Sequence, residues 1–217
     1  MTGFQLGSRS KVLNGDSNLE AQLISRLRRR DEHAFMDLYD RFSRNVYRFL
    51  LHMSGSIPIA EELTQEVFVV ILNALDNLKF DRFDEGKGNL EGYILGIARN
   101  LARKELSRSF RLISLEQVSE GLEQKPPVRS PKRDGQIVDD LIRHSELELL
   151  HAAILRLPLH YRETIALCSL QEKSYQDAAR ILQCSEGTVA SRINRAKSLL
   201  AEMLTVHAPN AERPSRT

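Results

Sequence analysis

The sequence of 217 residues predicts an all-α protein with two small helical domains that are joined by a flexible linker. Apolar residues recur at steps of three and four through most of the chain, which is the spacing of amphipathic helices. Three prolines and two glycines interrupt this spacing between residues 112 and 136. Near the C-terminus a short helical pattern, a tight turn and a longer helical pattern follow one another, which is typical of a helix-turn-helix.

These changes of pattern predict five segments. Residues 1–16 are polar and aperiodic and are expected to form a mobile tail. Residues 17–109 form the first helical domain, residues 110–136 the linker, and residues 137–204 the second helical domain. Residues 205–217 contain two prolines and are expected to be disordered.

Four helices are predicted in the first domain. Ser17 and Glu20 have the spacing of a capping box, which predicts that a short helix starts there. A long helix follows, and Gly55 to Pro58 break it. The next two helices are predicted from about Ile59 to Leu78 and from about Leu90 to Ser109. The apolar stripe of the long helix consists of Phe35, Leu38, Phe42, Val46, Phe49 and Met53.

Two neighbouring helices of this domain carry opposite charge. The helix from about Ile59 has an acidic face, although acidic residues near a helix N-terminus are also favourable without any partner. The helix from Leu90 has five basic residues between Arg99 and Arg111 and one acidic residue, Glu105. Basic groups beside the rings of Tyr93, Phe80 and Phe83 suit single-stranded nucleic acid. A solvated basic face and aromatic rings in the core are the plainer alternatives.

In the second domain, Ser145 with Glu148 forms another capping-box pattern, and Pro158 separates two helices. Ser174 with Asp177 opens the first helix of the helix-turn-helix, and Ser185 caps the second. The second helix has a small, polar and basic outer face, which predicts entry into a DNA major groove. An ordinary helical hairpin with a solvated face is the alternative. The predicted buried stripe of the second helix is Val189, Ile193, Ala196 and Leu200.

Several functional classes lack support in the sequence. The six histidines have no cysteine or carboxylate partners at metal spacing, and phosphate-binding glycine motifs are absent. We therefore expect no enzyme activity, no metal and no cofactor. Two cysteines without a C-x-x-C pair, no long apolar run and no secretory signal predict a soluble, cytoplasmic protein with no membrane insertion.

Four ordered motifs resemble the signatures of bacterial RNA polymerase sigma factors. They lie at residues 60–68, at residues 92–102, at Leu157-Pro158 with Arg162, and at residues 187–196. The short two-domain form resembles the extracytoplasmic-function (ECF) group. The resemblance covers roughly residues 19–109, as sigma region 2, and residues 137–204, as sigma region 4.

The resemblance implies a role in transcription initiation, with core RNA polymerase and promoter DNA as partners and with an anti-sigma factor as the expected inhibitor. The acidic helix would dock on the clamp helices of the polymerase largest subunit through Glu61, Glu62, Gln65, Glu66 and Phe68. The −10 element would be opened and bound by Phe80, Phe83, Asn89, Tyr93, Arg99, Asn100, Arg103 and Lys104. The −35 duplex would be read by Thr188, Ser191, Arg192, Asn194, Arg195 and Lys197.

Three residues depart from the family pattern. Tyr93 stands where a tryptophan is common, Gln183 where the turn usually has glycine, and Ala190 where a basic residue often follows Gly-Thr-Val. Gln183 must therefore adopt a turn conformation with a β-carbon. Two other functions remain as alternatives, a free-standing DNA-binding regulator and a sigma mimic that sequesters an anti-sigma factor.

Overall fold

The computed structural model describes the backbone of residues 9–77, 89–117 and 138–205 and the side chains of residues 18–77, 89–108 and 147–205. These residues form α-helices and one π-helical turn, with no strand in the described ranges. The all-α prediction is confirmed. The elements are α1 (Arg9–Arg28), α2 (Glu32–Ser54), α3 (Ile57–Asp76), α4 (Leu90–Gln117), α5 (Val138–Arg156), α6 (Leu159–Ile165), the π-turn (Ala166–Leu170), α7 (Tyr175–Leu182) and α8 (Glu186–Thr205).

Helix α2 is the central element of the N-terminal unit, which consists of α1 to α4. The Asp31 side chain caps its start by accepting a hydrogen bond from His33 N, and Gly55 ends it with a φ of 68°. Most of the predicted stripe is buried, while Phe35 is partly buried and packs edge-on against Phe68 of α3. Pro58 lies in the first turn of α3, where its missing N–H costs no helical hydrogen bond.

Three helix boundaries differ from the sequence prediction. Helix α1 begins at Arg9, so Ser17 lies inside it, and α5 begins at Val138, so Ser145 also lies inside a helix. Neither capping-box pattern marks a helix start. Helix α4 continues to Gln117, into the segment predicted as linker. The carboxylate of Glu20 accepts a hydrogen bond from Leu90 N, so it satisfies a free N–H at the start of α4.

The C-terminal unit consists of α5 to α8. Pro158 separates α5 from α6 as predicted, and the π-turn continues directly from α6. The predicted stripe of α8 is buried, and Ile154 and Leu157 of α5 join the same core. Leu147 of α5 is 62% exposed because it lies outside the α5 face that packs on the core.

The two units pack against each other through one connected core. Helix α4 contacts α7, and α2 contacts both α5 and the π-turn. Arg48 donates to the carbonyl oxygen of Leu170 at 3.2 Å, and Gln171 donates to that of Asn45 at 3.4 Å. A π-helical turn widens the helix and is common at functional positions. Here it brings the backbone carbonyl of Leu170 and the side-chain amide of Gln171 to the surface of α2.

Candidate nucleic-acid interface

The helix-turn-helix is held in place by local hydrogen bonds at both helix starts. Ser174 Oγ accepts from Asp177 N at 3.0 Å and donates to the Asp177 carboxylate at 2.6 Å. Ser185 Oγ accepts from Thr188 N at 3.1 Å. These bonds satisfy N–H groups that lack a helical partner and fix the two starts. The predicted caps of α7 and α8 are confirmed.

Gln183 makes the turn between α7 and α8. Its φ of 56° and ψ of 48° place it in the left-handed region, and its side chain is exposed. The N–H of Gln183 and that of Cys184 both bond to carbonyls of the last turn of α7. The prediction that Gln183 takes this turn conformation with a β-carbon is confirmed. A residue with a β-carbon pays about 1 kcal/mol there that glycine does not.

The outer face of α8 remains exposed to solvent. Ser191, Asn194, Arg195 and Lys197 lie on it, with Gly187 at the start of the helix. Small and polar side chains beside two cations allow a close approach to base edges and phosphates. Arg195 and Lys197 have long side chains that reach beyond the backbone of the helix. This surface suits a DNA groove geometrically.

Two other residues expected at the −35 element also make contacts within the C-terminal unit. The Thr188 hydroxyl lies 2.9 Å from that of Ser185. The Arg192 guanidinium is half-buried and lies 3.9 Å from Cys184 Sγ. Both side chains therefore also stabilise the turn of the helix-turn-helix.

The start of α4 joins a helix cap to an aromatic ring. Asn89 Oδ1 accepts from Gly92 N at 2.8 Å, which makes Asn89 the cap of this helix. Tyr93 is half-buried, and its burial raises the pKa of the phenol. Phe80 and Phe83 lie outside the described residues. Asn89, which was predicted at the −10 strand surface, is exposed at the start of α4.

The basic stripe of α4 is not uniformly exposed. Asn100, Arg103 and Lys104 are exposed, whereas the side chain of Arg99 is only 8% exposed. Arg99 Nε lies 3.1 Å from Oε1 of Glu163 in α6, and Arg103 Nε lies 3.5 Å from the same oxygen. The expectation that Arg99 lies on a free basic face is wrong for this arrangement, because Arg99 is buried where the two units meet and Glu163 supplies a counter-charge.

Helix α3 presents the predicted acidic face. Glu61, Glu62, Gln65 and Glu66 are exposed. Phe68 is only 3% exposed, and its ring lies 4.7 Å from that of Tyr39 and 6.3 Å from that of Phe35, measured between centroids. Phe68 is therefore a core residue beneath the acidic face and not part of its surface.

Glu163 is the residue of this region that sequence reasoning missed. It is 1% exposed and lies in the short helix α6, between Pro158 and the π-turn. Its neighbour Arg162 donates to the carbonyls of Leu155, Leu157 and Met53, and burial lowers the pKa of the Arg162 guanidinium. In the sequence, the one indication of this role was a carboxylate in a helix that carries an apolar core face. A carboxylate in such a place is expected to have a buried partner.

Other kinds of site have no support in the described part of the chain. No group of three His, Cys, Asp or Glu side chains that would hold a metal ion is found there. Among the described helices, none has the length and apolar character that a membrane span requires.

Two segments match family models. Residues 38–111 match Sigma-70 region 2, and residues 147–200 match Sigma-70, region 4. These ranges contain the basic face of α4 and the helix-turn-helix respectively, in the order that the sequence motifs predicted.

Relatives of similar length belong to the ECF group. The chain is 35% identical over 158 residues to the ECF RNA polymerase sigma factor EcfG of Rhodopseudomonas palustris, a match that covers 73% of this chain and 78% of the relative. It is 26% identical over 182 residues to the ECF RNA polymerase sigma factor SigW of Bacillus subtilis, which covers 83% and 94% of the two chains.

Solved structures show the same fold. The sigma factor RpoE of Bartonella quintana, crystallised in complex with the anti-sigma factor NepR, is 26% identical, with a TM-score of 0.59 over 80% of this chain and 98% of that one. CnrH, in complex with the cytosolic domain of CnrY, is 20% identical with a TM-score of 0.59, over 87% and 99% of the two chains. Together with the two region matches and the identity to EcfG, this shows that the chain belongs to the ECF RNA polymerase sigma factor family.

Proposed function

We propose that this sigma factor binds core RNA polymerase in the cytoplasm and directs it to promoters by reading the −35 duplex with α8 and the −10 strand with α4. The observation that carries the proposal is the presence in one chain of two different nucleic-acid surfaces. The outer face of α8 has the shape of a major-groove reader, and α4 carries a basic stripe beside Tyr93. Family membership supplies the polymerase as the partner.

Each surface has its own task in this proposal. Arg195 and Asn194 contact base edges of the −35 element, and Lys197 contacts phosphate. Thr188, Ser191 and Arg192 complete this surface. Arg103, Lys104 and Asn100 hold the opened −10 strand, and Tyr93 stacks on an unpaired base. Because these groups stabilise only the open strand, binding shifts the equilibrium towards opening without any covalent chemistry.

The acidic face of α3 is the proposed polymerase contact. Glu61, Glu62, Gln65 and Glu66 project from a helix whose opposite side is fixed in the core by Phe68. An exposed acidic helix complements a basic helical surface of a partner and speeds its association. The RpoE structure contains an anti-sigma factor, and we propose that an anti-sigma factor also controls this chain.

Run-off transcription with purified core polymerase tests the proposal. We expect transcripts with discrete start sites on genomic fragments only when the protein is added. A free-standing regulator gives no such transcript, and neither does a sigma mimic. Absence of any promoter-dependent transcript would therefore refute the proposed function.

A charge reversal tests the assignment of α8. Arg195→Glu is expected to weaken −35 duplex binding by about tenfold or more, because it replaces a base-edge donor with an anion that repels phosphate. Binding to core polymerase is expected to stay the same. Arg156→Glu is the matched control, since Arg156 is exposed at the end of α5 and away from the outer face of α8. Equal losses of duplex and polymerase binding in Arg195→Glu would contradict the assignment.

A further inference from the structure

Glu163 connects the two units at their most buried polar point. Its carboxylate belongs to α6 of the C-terminal unit, and both of its cationic partners, Arg99 and Arg103, belong to α4 of the N-terminal unit. The side chains of Glu163 and Arg99 are 1% and 8% exposed, so water reaches neither of them freely.

A buried ion pair of this kind depends on both partners being present. Desolvation of each charge is expensive, and the cost is recovered only while the opposite charge and its hydrogen bond are in place. If the units separate, Glu163 and Arg99 each gain water and lose their partner. The pair therefore forms only in the closed arrangement, in which α7 packs on α4 and the side chain of Glu163 in α6 reaches Arg99.

Two further contacts cover the same side of α4. Lys173, just before α7, lies 2.6 Å from the carboxylate of Glu91 in the first turn of α4. A β-carbon at Gly92 would lie 3.8 Å from Ile181 of α7, so the first helix of the helix-turn-helix passes directly over the start of α4. By contrast, the outer face of α8 is exposed in this arrangement.

In the closed arrangement the two nucleic-acid surfaces thus differ in how accessible they are to DNA. It leaves Asn194 and Arg195 of α8 accessible to duplex DNA. It removes Arg99 from solvent and ties Arg103 to a carboxylate on the surface where a single strand would bind. A phosphate must displace the Glu163 carboxylate to bind Arg99 or the Nε–H of Arg103, because both anions seek the same donors, whereas the rest of the Arg103 side chain stays exposed.

We propose that Glu163 is an internal competitor of the promoter strand, so that the closed chain binds duplex DNA through α8 but withholds Arg99 of α4 from single-stranded DNA until the two units separate. The proposal rests on the strand-binding role of α4 given above. It adds a regulatory contact that is built into the chain itself. Glu163 acts as a positioning residue here, since it contacts Arg99 and Arg103 and not the DNA.

The test compares single-stranded and duplex binding by the full-length chain. The variant is Glu163→Gln, and the probes are a fluorescent single-stranded 20-mer and a duplex 20-mer, both of random sequence, followed by anisotropy. We expect single-strand affinity to rise by roughly tenfold, because loss of a charged hydrogen bond weakens the closed arrangement. Duplex affinity is expected to change by less than about twofold, since α8 is already exposed. Small-angle scattering is expected to show a larger radius of gyration.

Glu202→Gln is the matched control, because it removes the same charge from an exposed position on α8. A rise in single-strand affinity in both variants would show a general charge effect and overturn the proposal. An equal rise of single-strand and duplex affinity in Glu163→Gln would also overturn it. Glu163→Asp keeps the charge and is expected to restore most of the wild-type discrimination between the two probes.

A second variant tests the proposal if Glu163→Gln fails to fold. Lys173→Gln breaks the other ion pair between the units and removes a positive charge, which by itself weakens binding to any nucleic acid. A rise in the ratio of its single-strand affinity to its duplex affinity therefore supports the proposal, and an unchanged or lower ratio contradicts it. Wild-type run-off transcription is measured separately, so failure of the proposed function is distinguishable from failure of this contact.

Discussion

Substitution of Gly55 by alanine, which adds a single methyl group, is the most stringent test of how the two units pack. It ends α2 with a φ of 68°, and its N–H bonds to Leu51 O at 2.8 Å. A β-carbon at this position would lie 2.4 Å from Cδ1 of Leu155 in α5. Gly55→Ala therefore introduces left-handed strain and a steric clash between the units at the same time.

The two costs are separable. Left-handed backbone costs a residue with a β-carbon about 1 kcal/mol relative to glycine. Overpacking costs about 1–3 kcal/mol, and the low end applies because the clash falls on the terminal methyl groups of a half-buried leucine, Leu155. We expect Gly55→Ala to lower the free energy of unfolding by about 2 kcal/mol in a urea titration.

Gly96 provides the matched control. It lies inside α4 and a β-carbon there would meet nothing within 4 Å. Gly96→Ala is expected to raise the free energy of unfolding by about 0.5–1 kcal/mol, since alanine restricts the unfolded chain and favours the helix. In a Leu155→Ala background, Gly55→Ala should cost only about 1 kcal/mol because the clash is gone. Equal costs in the two backgrounds, or equal effects of the two glycine substitutions, would refute the packing of Gly55 against Leu155.

Two further predictions concern the turn and the interface. Gln183→Gly is expected to raise the thermal unfolding midpoint by a few degrees, because it relieves about 1 kcal/mol of left-handed backbone strain. Gln183→Ala is expected to leave the midpoint unchanged. A lower midpoint in the glycine variant would contradict the turn geometry. His52 of α2 and His151 of α5 have ring centroids 5.7 Å apart, and burial lowers the pKa of both; the charges of His151 and Arg48 lower that of His52 further. Below about pH 6.5 the unfolded chain therefore binds more protons than the folded chain. The free energy of unfolding is constant above this pH and falls as the pH drops from about 6.5 towards the lowered pKa values. In thermal melts at a series of pH values, His52→Gln should flatten this dependence.

The local parts of this fold were predictable from the sequence. The stripes of α2 and α8 follow helical spacing, and the predicted faces are the buried ones for Val46, Phe49, Val189 and Ile193. The position of Gln183 in the turn followed from two helical patterns with no room between them. Each of these features depends on residues a few positions apart, where spacing alone determines which side chains share a face.

The parts that failed depend on distant contacts. Arg99 and Glu163 are 64 residues apart, and only the folded arrangement of the two units reveals that this carboxylate pairs with Arg99 and Arg103 of the basic stripe. Phe68 has an apolar side chain beside an acidic face, and its burial depends on Phe35 of another helix. The capping-box pattern at Ser17 gave a false helix start, because such a pattern stabilises a start but does not prevent a helix from continuing through it.

Permanganate reactivity of promoter thymines tests the central claim most directly. The reagent attacks unpaired thymines, and the claim is that this chain opens the −10 element only together with core polymerase. We expect reactive thymines near the −10 element when the protein and core polymerase are both present, and none with either alone. Bound DNA without any reactive thymine in the presence of both would contradict the claim and favour a free-standing duplex-binding regulator.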